Sequence, residues 1–328
     1  MKILIIRFSS IGDIVLTTPV IRCLRKQFPE AEIHYLTKSA NAQLLLHNPY
    51  LTKLHLLKES LQEVNKVLAK ERFHYVVDLH NNLRSLLVKT RLGRSSFSFN
   101  KLNAEKWMLV NLKVNRLPQQ HIVDRYMETV EMLGVKNDGE GLDYFFPPEG
   151  PPSLDFLPES FKRGFHAFVI GAGHETKKLP KEKILALCER IEYPVVLVGG
   201  KQEEAAGAWL QEQLPEKILS VCGQLSLHES AAVVRQAEKI ISHDTGYMHI
   251  AAAFFKPILS IWGNTVPEFG MYPYYPGGSA LQEQQMMAEV NGLGCRPCSK
   301  IGFSRCPKGH FKCMREQDVG EMANWVNR

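Results

Sequence analysis

Short apolar runs alternate with helical patterns along most of the chain. The first half contains four such runs, at residues 2–6, 32–36, 53–57 and 75–79. The apolar spacing between and after them predicts helices at 13–27, 40–47, 61–71 and 121–133. Short buried strands that alternate with amphipathic helices are typical of a parallel sheet with crossover helices.

A proline-rich segment divides this pattern into two parts. Residues 146–152 have the sequence Phe-Pro-Pro-Glu-Gly-Pro-Pro, which is typical of a linker. Strand patterns resume at 166–170, 195–198, 218–221, 239–242 and 258–261, with helical patterns between them. We therefore predict an α/β protein with two consecutive doubly wound domains, 1–150 and 151–312, facing each other across a cleft. A final helix within 313–328 is predicted to pack back on the N-terminal domain.

The bulk composition is that of a soluble globular protein. The 328 residues are 45% hydrophobic and 23% charged, with a net charge of +6. No apolar run approaches the roughly 18 residues that span a bilayer. The apolar start is interrupted at Arg7 and no small-residue cleavage site follows, so we expect a cytoplasmic protein.

The positive charge is concentrated in residues 84–116. This stretch contains a single acid, Glu105, and interleaved aromatic residues. Its basic residues are Arg84, Lys89, Arg91, Arg94, Lys101, Lys106, Lys113 and Arg116. The pattern suits a phosphorylated glycolipid, an anionic membrane surface or nucleic acid. It also suits a solvated loop and helix face, which is the usual meaning of a charge run.

The turn after the first strand carries the first candidate site. Ser9, Ser10 and Gly12 permit close approach of a ligand, and Asp13 follows at the start of the next helix. A carboxylate at a helix N-terminus is stabilised in its ionised form. Asp13 is therefore either a helix cap or a proton acceptor.

The second half repeats this arrangement after several strands. Gly171 follows one strand, and Lys177 stands close behind it where a diphosphate needs a cation. The segment Asp244-Thr245-Gly246 follows another strand and begins a helix that contains His249. These residues suit phosphate and sugar hydroxyls, but they are equally consistent with surface lysines, a helix cap and a core histidine.

Four of the seven cysteines cluster near the C-terminus. They are Cys295, Cys298, Cys306 and Cys313, with His310 between the last two. The first pair has the short spacing that is usual in zinc sites, and the second pair does not. Structural zinc, reduced thiols and disulfides are all compatible with this pattern.

Three segments together resemble glycosyltransferase family 9, the lipopolysaccharide heptosyltransferases. The resemblance is carried by residues 7–13 with Thr17-Thr18-Pro19, by 177–180, and by 244–249 with Gly263-Asn264-Thr265-Val266-Pro267. It implies a GT-B fold and inverting transfer of a sugar, from a nucleotide-sugar such as ADP-heptose, to a phosphorylated or Kdo-bearing lipid. It also implies a peripheral position at the cytoplasmic face of the inner membrane, without nucleic acid as a partner.

The resemblance also implies roles for particular residues. Asp13 would be the general base, and Ser9, Ser10, Gly12 and Arg84 would bind the acceptor. The donor-binding residues would be Lys177, Asp244, Thr245, Gly246, His249, Gly171 and His228. His228, next to Glu229, stands where many members have a glutamate for the nucleoside, which leaves the donor open. Neither a cofactor nor a catalytic metal is implied.

Two other classes of function remain open from the residues. A dinucleotide-dependent oxidoreductase needs a Gly-x-Gly-x-x-Gly turn, which residues 9–14 lack. A protein that binds an anionic polymer through residues 84–116 would show steeply salt-dependent binding.

Overall fold

A computed structural model describes all 328 residues, Met1–Arg328, and divides them into two compact units. Unit 1 comprises Met1–Lys101 and Gln120–Glu149, and unit 2 comprises Leu102–Gln119 and Gly150–Arg328. The boundary at 149–150 falls within the proline-rich segment. The segment 102–119, which the sequence pattern assigns to the N-terminal domain, belongs to unit 2 instead.

Unit 1 contains a five-stranded parallel sheet. Its strands are β1 (Lys2–Ile6), β2 (Glu32–Lys38), β3 (Lys53–Leu57), β4 (Tyr75–Asp78) and β5 (Ser95–Ser98). Their order is β3-β2-β1-β4-β5, with every neighbouring pair parallel. The strand order changes direction at β1, and ligands of open α/β sheets bind at the carboxyl ends of strands beside such a point.

Five helices belong to unit 1, in addition to a 3-10 helix at Ser39–Leu44 where we predicted a helix at 40–47. They are α1 (Ile11–Val15), α2 (Thr18–Gln27), α3 (Leu61–Lys70), α4 (Leu83–Leu92) and α6 (Ile122–Glu131), while α5 (Asn103–Leu112) lies in unit 2. The predicted continuous helix 13–27 is wrong, because it is broken between α1 and α2. Pro19 lacks an N–H, and the hydroxyls of Thr17 and Thr18 donate to the carbonyls of Ile14 and Val15, both at 2.7 Å.

The sequence pattern missed α4, β5 and α5, which lie in or beside the basic stretch. α4 buries Ser85 and Val88 but exposes most of its leucines, so its apolar positions do not mark an inner face. Its ends are nevertheless well defined. Asn82 caps it by accepting from the N–H of Ser85 at 2.9 Å, and Gly93 ends it in the left-handed conformation at φ 59°.

Unit 2 contains a six-stranded parallel sheet. Its strands are β6 (His166–Val169), β7 (Val195–Val198), β8 (Ile218–Ser220), β9 (Ile240–His243), β10 (Ile258–Trp262) and β11 (Met286–Glu289). Their order is β11-β10-β9-β6-β7-β8, so the direction changes between β6 and β9. β11 was not predicted, because its sequence Met-Met-Ala-Glu lacks β-branched residues and is only partly buried.

The remaining helices belong to unit 2. They are α7 (Glu159–Lys162), α8 (Lys181–Arg190), α9 (Glu204–Gln213), α10 (Leu227–Gln236), α11 (Gly246–Ala253), α12 (Leu281–Gln284), α13 (Lys312–Arg315) and α14 (Val319–Asn327). α14 packs on α8 and β10, and Met322 and Val326 join the same core as Leu187 and Cys188. The final helix therefore contributes to the core of its own unit. The expectation that 313–328 also packs back on the N-terminal domain stays a prediction.

The segment 102–119 is held in unit 2 by an apolar contact and by one lysine. Leu109 of α5 is buried with Val266 and Phe269. Lys113 donates to the carbonyls of Cys295 and Pro297, at 3.1 and 2.7 Å. Carbonyl oxygens of a loop therefore solvate this ammonium group.

None of the helices combines the length and the apolar character that a membrane span requires.

Candidate active site

The turn after β1 places Asp13 at the third position of α1. One carboxylate oxygen lies 2.6 Å from Nη2 of Arg7. The other accepts hydrogen bonds from the N–H and the hydroxyl of Ser10, at 3.0 and 2.8 Å. The Asp13 side chain is still 19% exposed. Asp13 therefore binds back to the residue that begins its helix and remains accessible to a ligand.

Arg7 is a largely buried connection between two loops. Its Nε donates to the carbonyl of Ser9 at 2.9 Å, and its Nη1 donates to the carbonyl of Leu79, which follows β4. The guanidinium also lies over the ring of Tyr126 at 5.7 Å. Because β1 and β4 are neighbours, Arg7 fixes the corner where the strand order changes direction. Arg7 had no predicted role, although the sequence shows a cation directly after a buried strand.

The charge of Arg7 controls the ionisation of Asp13. Burial by itself raises the pKa of this carboxyl group, but Arg7 and the two donors of Ser10 outweigh burial and lower the pKa below its ordinary value. Asp13 is therefore ionised at neutral pH, and an ionised carboxylate is the form that accepts a proton.

The loop after β4 completes this corner. Buried Asp78 pairs with Lys89 at 2.8 Å and accepts from the N–H groups of His80 and Asn81, which shapes the turn. His80 packs edge-on against Phe8, with ring centroids 5.1 Å apart. Burial, with a smaller effect of Arg7, lowers the pKa of His80 to about 4, so the ring is neutral at neutral pH. His80 was not singled out from the sequence, because no spacing links it to Asp13.

Of the other residues predicted at this corner, Ser10 is exposed, Ser9 is half-buried and Gly12 is buried within α1. Arg84 is exposed in the first turn of α4. The structure thus places Ser9 and Ser10 against Arg7 and Asp13, and places Arg84 on the helix that follows the neighbouring strand.

In unit 2, the corresponding corner joins three loops. Nζ of Lys177 lies 2.6 Å from a carboxylate oxygen of Asp244, and the hydroxyl of Thr265 donates to the same oxygen at 2.9 Å. Lys177 follows β6, Asp244 follows β9, and Thr265 follows β10. The two charged residues predicted to bind a donor are therefore in direct contact, beside the change of direction between β6 and β9.

The helix that begins at this corner is α11. Thr245 is its N-cap residue and Gly246 its first residue, and the Thr245 side chain makes no capping hydrogen bond. His249 is buried within the helix. His228 stands in the first turn of α10, which packs beside α11. Both helices follow strands of one sheet, so their N-termini lie at its carboxyl edge.

Glu203 is a residue of this edge that the sequence analysis missed. Its carboxylate accepts from the N–H of Gly200 at 3.0 Å and pairs with Lys178 at 2.7 Å. A Cβ atom at Gly199 would come within 2.8 Å of the Glu203 Cβ, and one at Gly171 within 3.0 Å of its carboxylate. These glycines are therefore needed for the approach of Glu203, a protein side chain, as well as for any ligand.

Comparison with known proteins identifies the family. The profile of glycosyltransferase family 9 (heptosyltransferase) matches residues 61–305. The chain belongs to glycosyltransferase family 9. It is 27% identical over 289 residues to lipopolysaccharide heptosyltransferase 1 of Campylobacter coli. The aligned region covers 81% of this chain and 84% of that relative.

Solved structures confirm the predicted GT-B fold class for this family 9 member. The Escherichia coli heptosyltransferase WaaC with ADP is similar at 20% identity and a TM-score of 0.70, over 99% of both chains. The Escherichia coli ADP-heptose lipopolysaccharide heptosyltransferase II is similar at 18% identity and a TM-score of 0.67, over 100% of this chain and 98% of that one. The resemblance stated from the sequence is thereby confirmed at the level of family and fold.

The cysteine-rich loop of this family 9 protein brings several soft ligands together. All seven cysteines are free thiols. The Cys295 sulfur lies 3.8 Å from Nε2 of His310, and the Cys298 thiol donates to the carbonyl of Cys295. Burial, followed by the neighbouring thiols, raises the pKa of Cys298 to about 11, and likewise that of Cys313. The thiols of Cys298 and Cys313 would therefore ionise near neutral pH only with a cation beside them, and sulfur and imidazole are donor types that zinc binds.

Structural zinc at this loop stays a prediction. Metal analysis of the purified protein, with Cys298→Ser beside the wild type, tests it directly.

A second cluster, His34, His55 and Glu71, has donor atoms within 4.8 Å of one another. There the Glu71 carboxylate already pairs with the ammonium groups of Lys2 and Lys53, at 3.2 and 2.6 Å, which would compete with a metal ion.

Proposed function

We propose that this family 9 protein is an inverting heptosyltransferase. It would transfer heptose from ADP-heptose to the inner core of lipopolysaccharide or to a Kdo-bearing lipid A acceptor. Family membership supports the reaction class, and the similarity to lipopolysaccharide and ADP-heptose heptosyltransferases supports the donor and the acceptor. The observation that carries the mechanism is the ionised Asp13, held open to solvent by Arg7 and Ser10.

Asp13 would act as the general base. It would take the proton of an acceptor hydroxyl as that oxygen forms its bond to the anomeric carbon, while the bond from that carbon to the ADP oxygen breaks. A single displacement of this kind inverts the anomeric configuration. Ser9, Ser10, Gly12 and Arg84 would position the acceptor around Asp13.

The donor would bind at the corner formed by Lys177, Asp244 and the start of α11. Lys177 and the N–H groups of Thr245 and Gly246 would stabilise the negative charge of the departing diphosphate. These groups would supply the positive charge at this site, so the proposed mechanism does not require a metal ion. Asp244 would accept hydrogen bonds from heptose hydroxyls. A diphosphate that reaches Lys177 would compete with the 2.6 Å ion pair to Asp244, so donor binding would rearrange this pair.

The remaining donor contacts would involve residues around the same sheet edge. Gly171 would permit approach of the nucleotide, and His249 and His228 would line its site. The protein would work at the cytoplasmic face of the inner membrane as a peripheral protein, because its acceptor is a lipid.

Transfer of labelled heptose from ADP-heptose to Kdo-bearing lipid A tests the activity, and analysis of the anomeric product tests inversion. A thermal-shift panel of ADP-, UDP- and GDP-sugars against NAD tests the donor. We expect stabilisation by ADP-heptose and ADP. Stabilisation by NAD alone, with no sugar transfer, would contradict the proposal and favour an oxidoreductase.

A further inference from the structure

Helix α4 exposes an unusual number of leucines. Leu83, Leu86 and Leu87 have exposed fractions of 72%, 52% and 49%. Their spacing of three and four residues places them on one side of the helix. We call these three residues the leucine stripe. Ser85 and Val88 face the core instead, so the helix is oriented with its more apolar side towards solvent.

The charges on α4 and in the residues directly after it all have one sign. Arg84, Arg91 and Arg94 are exposed on or directly after α4. Residues 83–104 contain no aspartate or glutamate. Lys89 does not add to this surface, because its ammonium pairs with the buried Asp78. The helix therefore presents leucines flanked by free cationic side chains.

This combination fits a bilayer better than a protein partner. Helices that lie on membranes pair an apolar side with flanking Lys and Arg, which attract anionic lipids. Energetically important residues of protein interfaces are enriched in Trp, Tyr and Arg, and leucine is under-represented. The leucine stripe has no aromatic residue, and residues 83–104 contain no acid that would pair with a basic partner.

The position of α4 relates this surface to the Asp13 corner. α4 begins directly after the loop that contains Asp78 and His80, at the carboxyl end of β4. β4 is the hydrogen-bonded neighbour of β1, whose own loop carries Asp13. The exposed helix thus starts at the same edge of the sheet as the candidate base.

We propose that the leucine stripe, with Arg91 and Arg94, is the surface by which this protein docks on an anionic lipid bilayer. The leucines enter the region between headgroups and acyl chains, and the arginines contact lipid phosphates. Docking there brings the Asp13 corner to the membrane surface. The benefit to catalysis rests on the proposed function, since it needs a lipid-borne acceptor, whereas docking itself does not.

Sedimentation with vesicles tests the proposal on the full-length protein. The probes are phosphatidylcholine vesicles with and without phosphatidylglycerol. We expect wild-type protein to bind only the anionic vesicles, and Leu83→Gln/Leu86→Gln/Leu87→Gln to lower the partition coefficient at least about tenfold. Glutamine keeps the helix propensity of leucine and adds no charge. Leu46→Gln is the matched control, because Leu46 is 62% exposed in the same unit.

A second pair of variants isolates the charges. Arg91→Gln/Arg94→Gln should lower binding roughly fivefold for each charge removed, and less at high salt. Lys136→Gln removes an exposed charge elsewhere in unit 1, beside the end of α2, and should leave binding within about twofold. Circular dichroism and the melting temperature of each variant show that the fold is retained.

Activity separates this proposal from the proposed function. The leucine variant should keep its turnover on a water-soluble, deacylated acceptor and lose it on vesicle-bound acceptor. Failure of wild-type protein to bind anionic vesicles would overturn the docking surface. So would vesicle binding that the leucine variant retains, or a wild-type dimer that dissociates in that variant. Vesicle binding without any sugar transfer would instead contradict the proposed function alone.

Discussion

The two candidate corners of this molecule both pair a carboxylate with a cation, but they hold the cation differently. Arg7 is anchored by the carbonyls of Ser9 and Leu79 as well as by Asp13. Lys177 reaches Asp244 from another loop, and its ammonium donates both to the carboxylate and to the carbonyl of that one residue. A guanidinium with several fixed partners sets the ionisation of its neighbour, whereas a flexible ammonium with one partner can move to a ligand.

The two acids also differ in their relation to the helix that follows. Asp13 lies inside α1 and accepts from Ser10, so its position is part of the helix start. Asp244 precedes the N-cap residue of α11 and makes no such cap. The comparison indicates a rigid carboxylate for proton transfer in unit 1 and an exchangeable ion pair for ligand binding in unit 2.

Asp13→Asn should have the largest effect. It keeps an oxygen for the Ser10 donors but removes the proton acceptor, so kcat should fall by roughly 10³–10⁴. Affinity for ADP, measured by calorimetry, should stay unchanged. A loss of less than tenfold in kcat would mean that Asp13 only caps α1.

Lys177→Met should affect the other corner. Loss of the cation that meets the diphosphate should lower kcat/KM for the donor by roughly 10²–10³ and weaken ADP binding, while the KM for the acceptor stays near wild type. Lys178→Met is the matched control, because that ammonium pairs with Glu175 and Glu203 instead of Asp244. Equal losses in both variants would contradict a specific role for Lys177.

Arg7→Met should change the pH dependence of both stability and activity. Because the folded pKa of Asp13 is lowered, its stabilising effect is present above the unfolded pKa of about 3.9 and is lost as pH falls through the lower folded value. Without Arg7, burial is less opposed, so the acid limb of kcat/KM should move up by roughly one to three pH units.

The same variant should lower the free energy of unfolding at neutral pH by about 1.5–3 kcal/mol, since charge-assisted hydrogen bonds are lost. Urea unfolding at neutral and acidic pH measures this, and the difference between the two proteins should shrink in acid. An unchanged acid limb would show that Arg7 does not set the ionisation of the catalytic group.

Thr265→Val should have the smallest effect. It removes the hydroxyl that donates to Asp244 at 2.9 Å, which should cost about 1 kcal/mol and raise the donor KM up to fivefold. Thr17→Val, which removes a buried hydroxyl in unit 1, should lose similar stability without any change in donor KM. A donor KM that rises equally in both variants would contradict the specific link between Thr265 and Asp244.

The sequence predicted the parts of this fold whose signal is local. Buried strands such as β1 and β6 are continuous apolar runs, and the residues at their carboxyl ends follow from chain order. The contact between Lys177 and Asp244 joins residues far apart in the chain, so it could be inferred only through the family resemblance. Arg7 and Glu203 were missed because their importance lies in the loops they connect, which no spacing encodes.

Several of the errors have a common physical origin in tertiary context. α4 lacks a clear inner face in its sequence, and the membership of α5 in unit 2 depends on the burial of Leu109 against residues far along the chain. The break between α1 and α2 was readable from Thr17-Thr18-Pro19, and it is the one error that local chemistry could have prevented.

The placement of residues 102–119 in unit 2 has a consequence for the order in which the molecule can be made. The chain passes between the two units three times, after residues 101, 119 and 149. During synthesis, α5 is translated long before Val266 and Phe269. Leu109 therefore cannot be buried against these residues until most of unit 2 has been translated. A gene fragment that starts at residue 150 would encode those neighbours but lack α5. Expression of the halves is therefore expected to succeed only when they are produced together, with α5 supplied by the N-terminal fragment.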